Sequence, residues 1–326
     1  MIEVQNLTRY YGSFAAVREA SFNIGDREIV GFLGLNGAGK STMLRVLAGL
    51  QMPSAGKVLI GGIDATEAPD AMRRRIGFLP EDPPLYREMR VVEFLRWVGQ
   101  VKGCSRAAVE AELPRVMETG QLQDAGDKVI AELSHGYRKR VGIAQAIIHK
   151  PEVVILDEPI SGLDPRQIVE MRKVVRSLKK WATVLISSHI LSEIAQTVDR
   201  ILVIHKGRIV AEGTEAQLSG SLGTGTRLQV VVRGKLGACE DLLGRSELVE
   251  DYKLEPDGEL VQLAVTLRKD EREAFVRELV EAGLGVRAVQ DAMGELEQIF
   301  LELTRVAAAP AALESKQVPV RKEAQA

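Results

Sequence analysis

Short apolar runs alternate with amphipathic stretches along residues 1–218. Residues 27–33 and Val153–Leu156 show almost no polar alternation, which is typical of strands that are buried on both faces of a parallel sheet. Strands that take turns with helical stretches indicate the α/β class. We therefore predict one α/β domain over residues 1–218, with a buried central sheet.

A helical insertion interrupts that alternation at about residues 88–148. The apolar positions in this part recur at helical spacing and predict helices at Val91–Val101 and at 107–117. The insertion is therefore expected to lie within the α/β domain and not after it.

The pattern changes again after residues 219–226, which are rich in Gly, Ser and Thr and are predicted to be a linker. Residues 227–304 are predicted to form a small α+β accessory domain. Its predicted elements are a strand at 227–232, a helix at 236–243, strands at 248–254 and 261–267, a helix at 271–282 and a strand at 285–289. The order βαββαβ is that of ferredoxin-like domains.

The last part of the chain differs from both domains. Leu296, Ile299, Phe300 and Leu303 share one face of a predicted amphipathic helix. Residues 305–326 are mainly Ala, Pro, Lys, Glu and Gln and are expected to be a disordered tail.

Composition narrows the class of protein. The 326 residues are 45% hydrophobic and 27% charged, as in globular proteins, and the formal net charge is −2. A near-neutral charge disfavours a nucleic-acid partner, which normally selects a basic surface. No signal peptide is visible, and no apolar run reaches the about 18–20 residues that a bilayer requires. Cys104 and Cys239 lack metal-ligand spacing, so we expect ordinary thiols and a cytoplasmic chain.

A phosphate-binding loop follows the first apolar strand and precedes a helix predicted at 43–50. The loop fits the P-loop pattern at Gly34, Asn36, Gly37, Ala38, Gly39, Lys40, Ser41 and Thr42. Glycines let backbone N–H groups surround phosphate oxygens, while Lys40 would bridge the β- and γ-phosphates of ATP and the Ser41 hydroxyl would bind Mg²⁺. The alternative is an ordinary Gly-rich turn before a helix.

An acidic pair, Asp157 and Glu158, directly follows the apolar run Val153–Leu156. A carboxylate at the carboxyl end of a central strand would lie beside the P-loop, where Asp157 could hold Mg²⁺ through water. Glu158 is suitably placed to activate the attacking water as general base. The alternative for such a pair is a helix cap. Together the motifs predict a P-loop NTPase.

Further motifs make the family resemblance specific. Residues 133–137 are Leu-Ser-His-Gly-Tyr, residues 161–164 are Ser-Gly-Leu-Asp, and His189 follows two serines. With Tyr11 ahead of Gly12 and Ile-Gly-Phe-Leu-Pro-Glu at 76–81, residues 1–218 resemble the ATP-binding subunit of an ABC transporter.

That resemblance implies site roles that the residues alone leave open. Tyr11 would stack on adenine, and His189 would contact the γ-phosphate and the attacking water. Ser134, Gly136 and Asp164 would bind ATP at a site shared between two protomers, and Glu81 would join Ser41 and Asp157 at Mg²⁺. The alternatives are a surface aromatic for Tyr11, a plain helix cap for Ser134 and a structural role for His189. The run 138–140, Arg-Lys-Arg, is predicted to be a solvated helix face.

Some positions depart from the family pattern. Leu35 replaces a frequent Pro, His135 and Tyr137 replace Gly and Gln, and Glu81 stands where Gln is usual. With the Glu-Gln-Ile-Phe-Leu run at 297–301, these features resemble the ABC-2 exporter group.

The resemblance implies an ATPase that works as a homodimer and energises a separate membrane permease, to which it would bind at the inner face of the cell membrane. The candidate surface for that contact is the groove between the Glu81 loop and the helical insertion, where residues 83–86, Pro-Pro-Leu-Tyr, form a rigid, partly apolar edge. The alternative for these four residues is a simple packed turn. The alternative is a non-transport ABC ATPase of DNA repair, translation or cofactor assembly. One P-loop and the lack of a sustained heptad pattern favour transport.

Overall fold

The computed structural model describes residues 2–220 and 226–291. The elements before residue 221 are, in chain order, β1 (Ile2–Tyr11), β2 (Phe14–Ile24), β3 (Ile29–Leu33), α1 (Lys40–Leu47), β4 (Ala55–Ile60), β5 (Ile63–Asp64), α2 (Pro69–Arg74), β6 (Ile76–Leu79), α3 (Val91–Val101), α4 (Arg106–Thr119), a 3₁₀ turn (Ile130–Glu132), α5 (His135–Ile147), β7 (Val153–Leu156), α6 (Pro165–Leu178), β8 (Thr183–Ser188), α7 (Leu191–Ala195), β9 (Arg200–His205), β10 (Arg208–Gly213) and α8 (Glu215–Gly220).

A six-stranded sheet forms the centre of the α/β domain, in the order β10-β9-β3-β8-β7-β6. All neighbouring pairs are parallel except β10 with β9. Strands β3, β7 and β8 are buried along their whole length, as their apolar runs predict. Because they run parallel, their carboxyl ends meet at one edge of the sheet, and the segments that carry the candidate site leave from that edge.

A second, antiparallel sheet in the order β2-β1-β4-β5 carries Tyr11 at the end of β1. Its inner face shares a core with one side of the central sheet, where Phe22 and Phe32 meet edge to face with ring centroids 5.5 Å apart. This packing brings the β1–β2 turn close to the P-loop.

The helical insertion consists of α3, α4 and α5, which pack on one another and on the other side of the central sheet. Helix α3 has the predicted bounds. Helix α4 begins one residue before its predicted start because Ser105 caps it, accepting a hydrogen bond from the Ala108 N–H at 3.2 Å.

The prediction of a solvated face at 138–140 is wrong for two of its three residues. Lys139 and Arg140 are buried, because this side of α5 faces neighbouring protein and not solvent. The Arg140 guanidinium lies 4.0 Å from the centroid of the Tyr137 ring and 3.7 Å from Glu170. Sequence reasoning failed here because a basic run does not show which of its members face a partner that is distant along the chain.

The described part of the C-terminal unit consists of β11 (Thr226–Arg233), α9 (Leu236–Arg245), β12 (Val249–Asp257), β13 (Leu260–Leu267), α10 (Arg272–Glu281) and β14 (Gly285–Asp291). The sheet is antiparallel throughout, in the order β12-β13-β11-β14. Cys239 from α9 and Phe275 from α10 pack on the inward residues of the strands. The predicted ferredoxin-like arrangement is confirmed.

The described helix α8 and strand β11 take up both ends of the predicted linker 219–226. The predicted helix around Leu296 and the predicted tail 305–326 lie outside the described residues. The domain bounds 1–218 and 227–304 stay predictions. Within residues 2–220 and 226–291, no helix is both long and apolar enough to cross a membrane.

Candidate functional site

The P-loop joins β3 to α1 and needs glycine at particular positions. Gly37 and Gly39 have φ angles of +80° and +107°. A Cβ on Gly39 would lie 2.4 Å from the Ala16 carbonyl oxygen, and one on Gly34 would lie 2.7 Å from the Ile204 carbonyl oxygen. Helix α1 begins at Lys40 and not at the predicted residue 43, so Lys40, Ser41 and Thr42 form its first turn. Its unpaired N–H groups and positive end are suited to bind phosphate.

Lys40 is buried and points back along the loop. Its Nζ donates to the Gly34 carbonyl at 2.7 Å and to the Leu35 carbonyl at 3.4 Å. The same ammonium lies 3.4 Å from Glu158 Oε1. A positive charge held mainly by neutral carbonyls at the mouth of a P-loop can transfer its donors to phosphate oxygens.

Asp157 lies at the carboxyl end of β7 and is almost fully buried. Its Oδ1 accepts hydrogen bonds from Ser187 Oγ at 2.7 Å and from Ser41 Oγ at 3.3 Å. A hydroxyl and a carboxylate oxygen that meet in this way suit Mg²⁺, which uses few protein ligands and keeps water and substrate phosphates for the rest. The described residues contain no cluster of three or more His, Cys, Asp or Glu that could hold a metal ion.

Glu158 is also buried, and its backbone lies in the left-handed region with a φ of +49°. Its N–H donates to Ser187 Oγ at 2.8 Å. Its side chain joins two other groups of the site, since Oε1 faces Lys40 and Oε2 lies 3.0 Å from His189 Nδ1. The carboxylate therefore points towards the P-loop.

These groups surround one cavity of about 530 Å³. Ten of the predicted site residues line it, namely Tyr11, Asn36, Gly37, Gly39, Lys40, Ser41, Thr42, Glu81, Glu158 and His189. Of the remaining ones, Gly34 and Ala38 belong to the loop itself, and Asp157 touches Ser41. The fold thus brings together, around one cavity, predicted site residues that are far apart along the chain.

Tyr11 lies at the open end of the cavity, with its ring half exposed. Its hydroxyl donates to Gln51 Oε1 at 2.6 Å, and the Arg9 guanidinium lies 5.2 Å from the ring centroid. Phe14, its partner across the β1–β2 turn, also lines the cavity and was not predicted. A signal existed, because a two-residue turn after Tyr11 places the next aromatic residue opposite it.

Ser134, Gly136 and Asp164 do not line this cavity. Ser134 is exposed and caps α5, where its Oγ accepts the Tyr137 N–H at 3.4 Å, so the predicted cap is confirmed. Asp164 caps α6 by accepting the Gln167 N–H at 2.9 Å. A Cβ on Gly136 would lie 2.8 Å from Gln167 Oε1, so the first turns of α5 and α6 touch.

Besides Phe14, sequence reasoning missed Ser187 and Lys139. Ser187 connects Asp157 to the Glu158 backbone, and the only hint of it was its place before His189 on a buried strand. Lys139 donates to the carbonyls of Glu81 and Glu158, and the basic run around it concealed this role.

The chain is similar to known ATP-binding proteins. The family described as ABC transporter matches residues 17–161. A daunorubicin resistance ATP-binding protein of Streptomyces coeruleorubidus is 36% identical over 306 residues, which are 93% of this chain and 95% of that protein. A bacitracin transport ATP-binding protein of Bacillus licheniformis is 33% identical over 93% of this chain and 97% of its own length. A solved ATP-binding subunit of an ABC transporter superposes with a TM-score of 0.61 and 32% identity, over 68% of this chain and 92% of that one.

These relatives align over nearly their whole length, and the resemblance inferred from the motifs is confirmed. The DNA-repair, translation and cofactor-assembly alternative is not favoured by them. The chain therefore belongs to the ATP-binding subunits of ABC transporters and is an ATPase.

Proposed function

We propose that the chain energises a separate membrane permease of the ABC-2 exporter group, as a homodimer bound to the inner face of the cell membrane. The relatives named for daunorubicin resistance and bacitracin transport support an exporter. The homodimer is inferred from the way in which the predicted ATP-binding residues divide into two groups on the surface of one protomer. The P-loop and Glu158 share one cavity, whereas neither Ser134, which is exposed, nor Gly136, which is buried against Gln167, lines that cavity.

Within one protomer, the residues divide the work on ATP. Lys40 and the P-loop N–H groups bind the β- and γ-phosphates, and Tyr11 stacks on the base. Ser41 and Asp157 would hold Mg²⁺, which would neutralise charge on the phosphates, and Glu81 lines the same cavity. Glu158 takes the proton of the attacking water, while His189 orients the carboxylate and the γ-phosphate.

The second protomer completes the site. The Ser134 hydroxyl, the Gly136 N–H and the start of α5 would face the γ-phosphate of the partner's ATP, and Asp164 would lie beside them. Closure of the dimer around two ATP molecules and its reopening after hydrolysis would supply the movement that the permease uses.

A mixing experiment tests this arrangement. Ser134→Arg and Lys40→Ala should each abolish ATP hydrolysis as homodimers. Equal mixtures should recover about a quarter of wild-type turnover, because half of the dimers are mixed and each mixed dimer has one intact site. Complete inactivity of the mixture, or loss of ATP affinity in the Ser134→Arg monomer, would show that Ser134 does not serve the partner's nucleotide.

The permease contact is proposed at an aromatic surface beside the insertion. Tyr86 is 51% exposed and packs edge to face on Trp97, with ring centroids 4.7 Å apart, over the buried Phe94. Exposed aromatic residues on a rigid base are typical anchors of interfaces. Leu85, which is half-buried, supports this surface from below.

Replacement of Leu85 and Tyr86 by Asp should release the protein from the permease while its own ATPase activity survives. Tyr86→Asp alone is the better-controlled variant, since Leu85 also packs on the core. Co-purification with the permease in detergent measures the contact. Undiminished binding of the folded Tyr86→Asp variant would exclude this surface, and unfolding of the double variant alone would assign Leu85 to packing.

A further inference from the structure

Lys139 is a buried charge that the reaction chemistry described so far does not use. It lies on α5, five residues after Ser134, and is 2% exposed. Its Nζ donates to two main-chain carbonyls, that of Glu81 and, at 3.2 Å, that of Glu158. Burial lowers the pKa of this ammonium, while the nearby carboxylates of Glu81, Asp82, Glu158 and Asp157 raise it. Such a residue needs an explanation, because a buried charge is unfavourable unless its donors are satisfied.

The two carbonyls belong to separate loops of the nucleotide cavity. Glu81 follows β6 and Glu158 follows β7, two neighbouring parallel strands. The ammonium therefore joins the carboxyl ends of both strands to α5, the helix that Ser134 caps. No neutral aliphatic side chain could make these connections.

The contact to Glu158 has a particular consequence. A non-glycine residue in the left-handed region is held there only by its surroundings. The N–H of Glu158 is fixed by Ser187 Oγ at 2.8 Å, and its C=O is fixed by Lys139. With both peptide groups held, the carboxylate points to Lys40 and His189.

We propose that Lys139 is a positioning residue for ATP hydrolysis, which holds the main chain of Glu158 so that its carboxylate faces the nucleotide. Through the same ammonium it links the Glu81 loop and the start of α5 to the general base. This inference rests on the assignment of Glu158 as general base. A movement of the Glu81 loop or of the start of α5 would therefore alter the position of Glu158 through Lys139.

The test compares three variants by ATP affinity, KM and kcat. Lys139→Met keeps the length of the side chain and removes its donors. We expect kcat to fall about 10- to 100-fold, the effect of a misplacement of about 1 Å, with ATP affinity changed by less than about twofold. Lys139→Arg keeps a charged donor and should recover most of kcat. Lys150→Met, just beyond the other end of α5 and exposed, is the matched control and should not change kcat.

A double variant separates positioning from a structural role. In the Glu158→Gln background, single-turnover rates should not fall further when Lys139→Met is added, because the base is already absent. An equal further loss would overturn the proposal, as would a change in KM without one in kcat. If Glu158→Gln itself turns over normally, the base assignment fails instead.

A thermal unfolding measurement shows whether Lys139→Met folds, and a second variant replaces it if it does not. Should Lys139→Met lose its cooperative thermal transition, Lys139→Leu takes its place, since its shorter aliphatic side chain also has no donor. A folded Lys139→Leu with wild-type kcat would overturn the proposal. A folded variant with lowered kcat, unchanged ATP affinity and rescue in Lys139→Arg would support it.

Discussion

Glu158→Gln tests the chemistry of the site most directly. The substitution keeps the shape of the side chain and its acceptor towards His189, but the amide cannot take up the proton of the attacking water. A general base contributes about 10²- to 10⁴-fold, so we expect turnover to fall by that factor, equivalent to about 3–5 kcal/mol. Glu152→Gln, at the opposite end of β7 and exposed, is the matched control and should hydrolyse ATP normally.

The same variant should bind ATP more tightly. Glu158 attracts Lys40 at 3.4 Å, and at an effective dielectric constant of about 20 that attraction is about 5 kcal/mol before solvation. Solvation cancels most of it, and we expect a net gain of about 1 kcal/mol, or about fivefold in Kd. The amide also removes a negative charge from the neighbourhood of the γ-phosphate.

Phosphate release in a single turnover, ATP titration and size-exclusion chromatography with ATP measure these effects together. We expect slow release, a lower Kd and a dimer that persists with ATP. Near-normal turnover would remove Glu158 from the role of general base. Slow turnover with weakened ATP binding would instead mean that the carboxylate supports the P-loop, and that the Lys40 contact is not a competitor of phosphate.

Three further predictions concern the stacking of Tyr11 on adenine, the glycines of the P-loop and the pH dependence of the stability of the fold. Tyr11→Ala should raise the Kd for ATP about tenfold, since stacking on a base is worth about 1–3 kcal/mol, and Tyr11→Phe should not. Gly39→Ala should abolish ATP binding, because its Cβ would lie 2.4 Å from a backbone carbonyl, whereas Gly37→Ala meets nothing within 4 Å and should bind, more weakly than wild type. Burial, with the charge of Lys102, lowers the pKa of His149 from 6.5 to about 4, so the unfolded chain takes up a proton before the folded one as the pH falls. The free energy of unfolding in urea should therefore fall between pH 6.5 and 4 by on the order of 2 kcal/mol, and His149→Gln should flatten this dependence.

Local sequence patterns were sufficient to predict an element where the positions of its apolar residues show which of its residues are buried. The run Val153–Leu156 is apolar throughout, and the structure places it in the middle of a parallel sheet. The alternating pattern of residues 261–267 predicted one strand of the C-terminal sheet, and the structure buries every second residue of that strand, starting at residue 261. In both cases neighbours along the chain carry the signal, because the period of buried positions defines the element.

The sequence could not predict contacts that depend on where elements meet. The basic run at 138–140 looks alike at each position, yet Lys139 is buried against carbonyls that lie 58 and 19 residues away. The start of α1 was predicted three residues late, because the P-loop pattern hides the fact that Lys40 already has helical geometry. Lys139 in particular takes its role from backbone carbonyls that are distant along the chain, which no local periodicity encodes.

The Lys40 ammonium contacts both the P-loop and Glu158, so ATP binding is expected to change the surroundings of the proposed general base. Lys40 divides its donors between the P-loop carbonyls and Glu158, and His189 lies against the other oxygen of the same carboxylate. We expect the phosphates of ATP to compete with Glu158 for the Lys40 ammonium. That competition would leave one oxygen of Glu158 free for a water molecule, while the hydrogen bonds from Lys139 and to Ser187 hold the Glu158 backbone on either side. ATP binding would then make the proposed general base available by the loss of one contact.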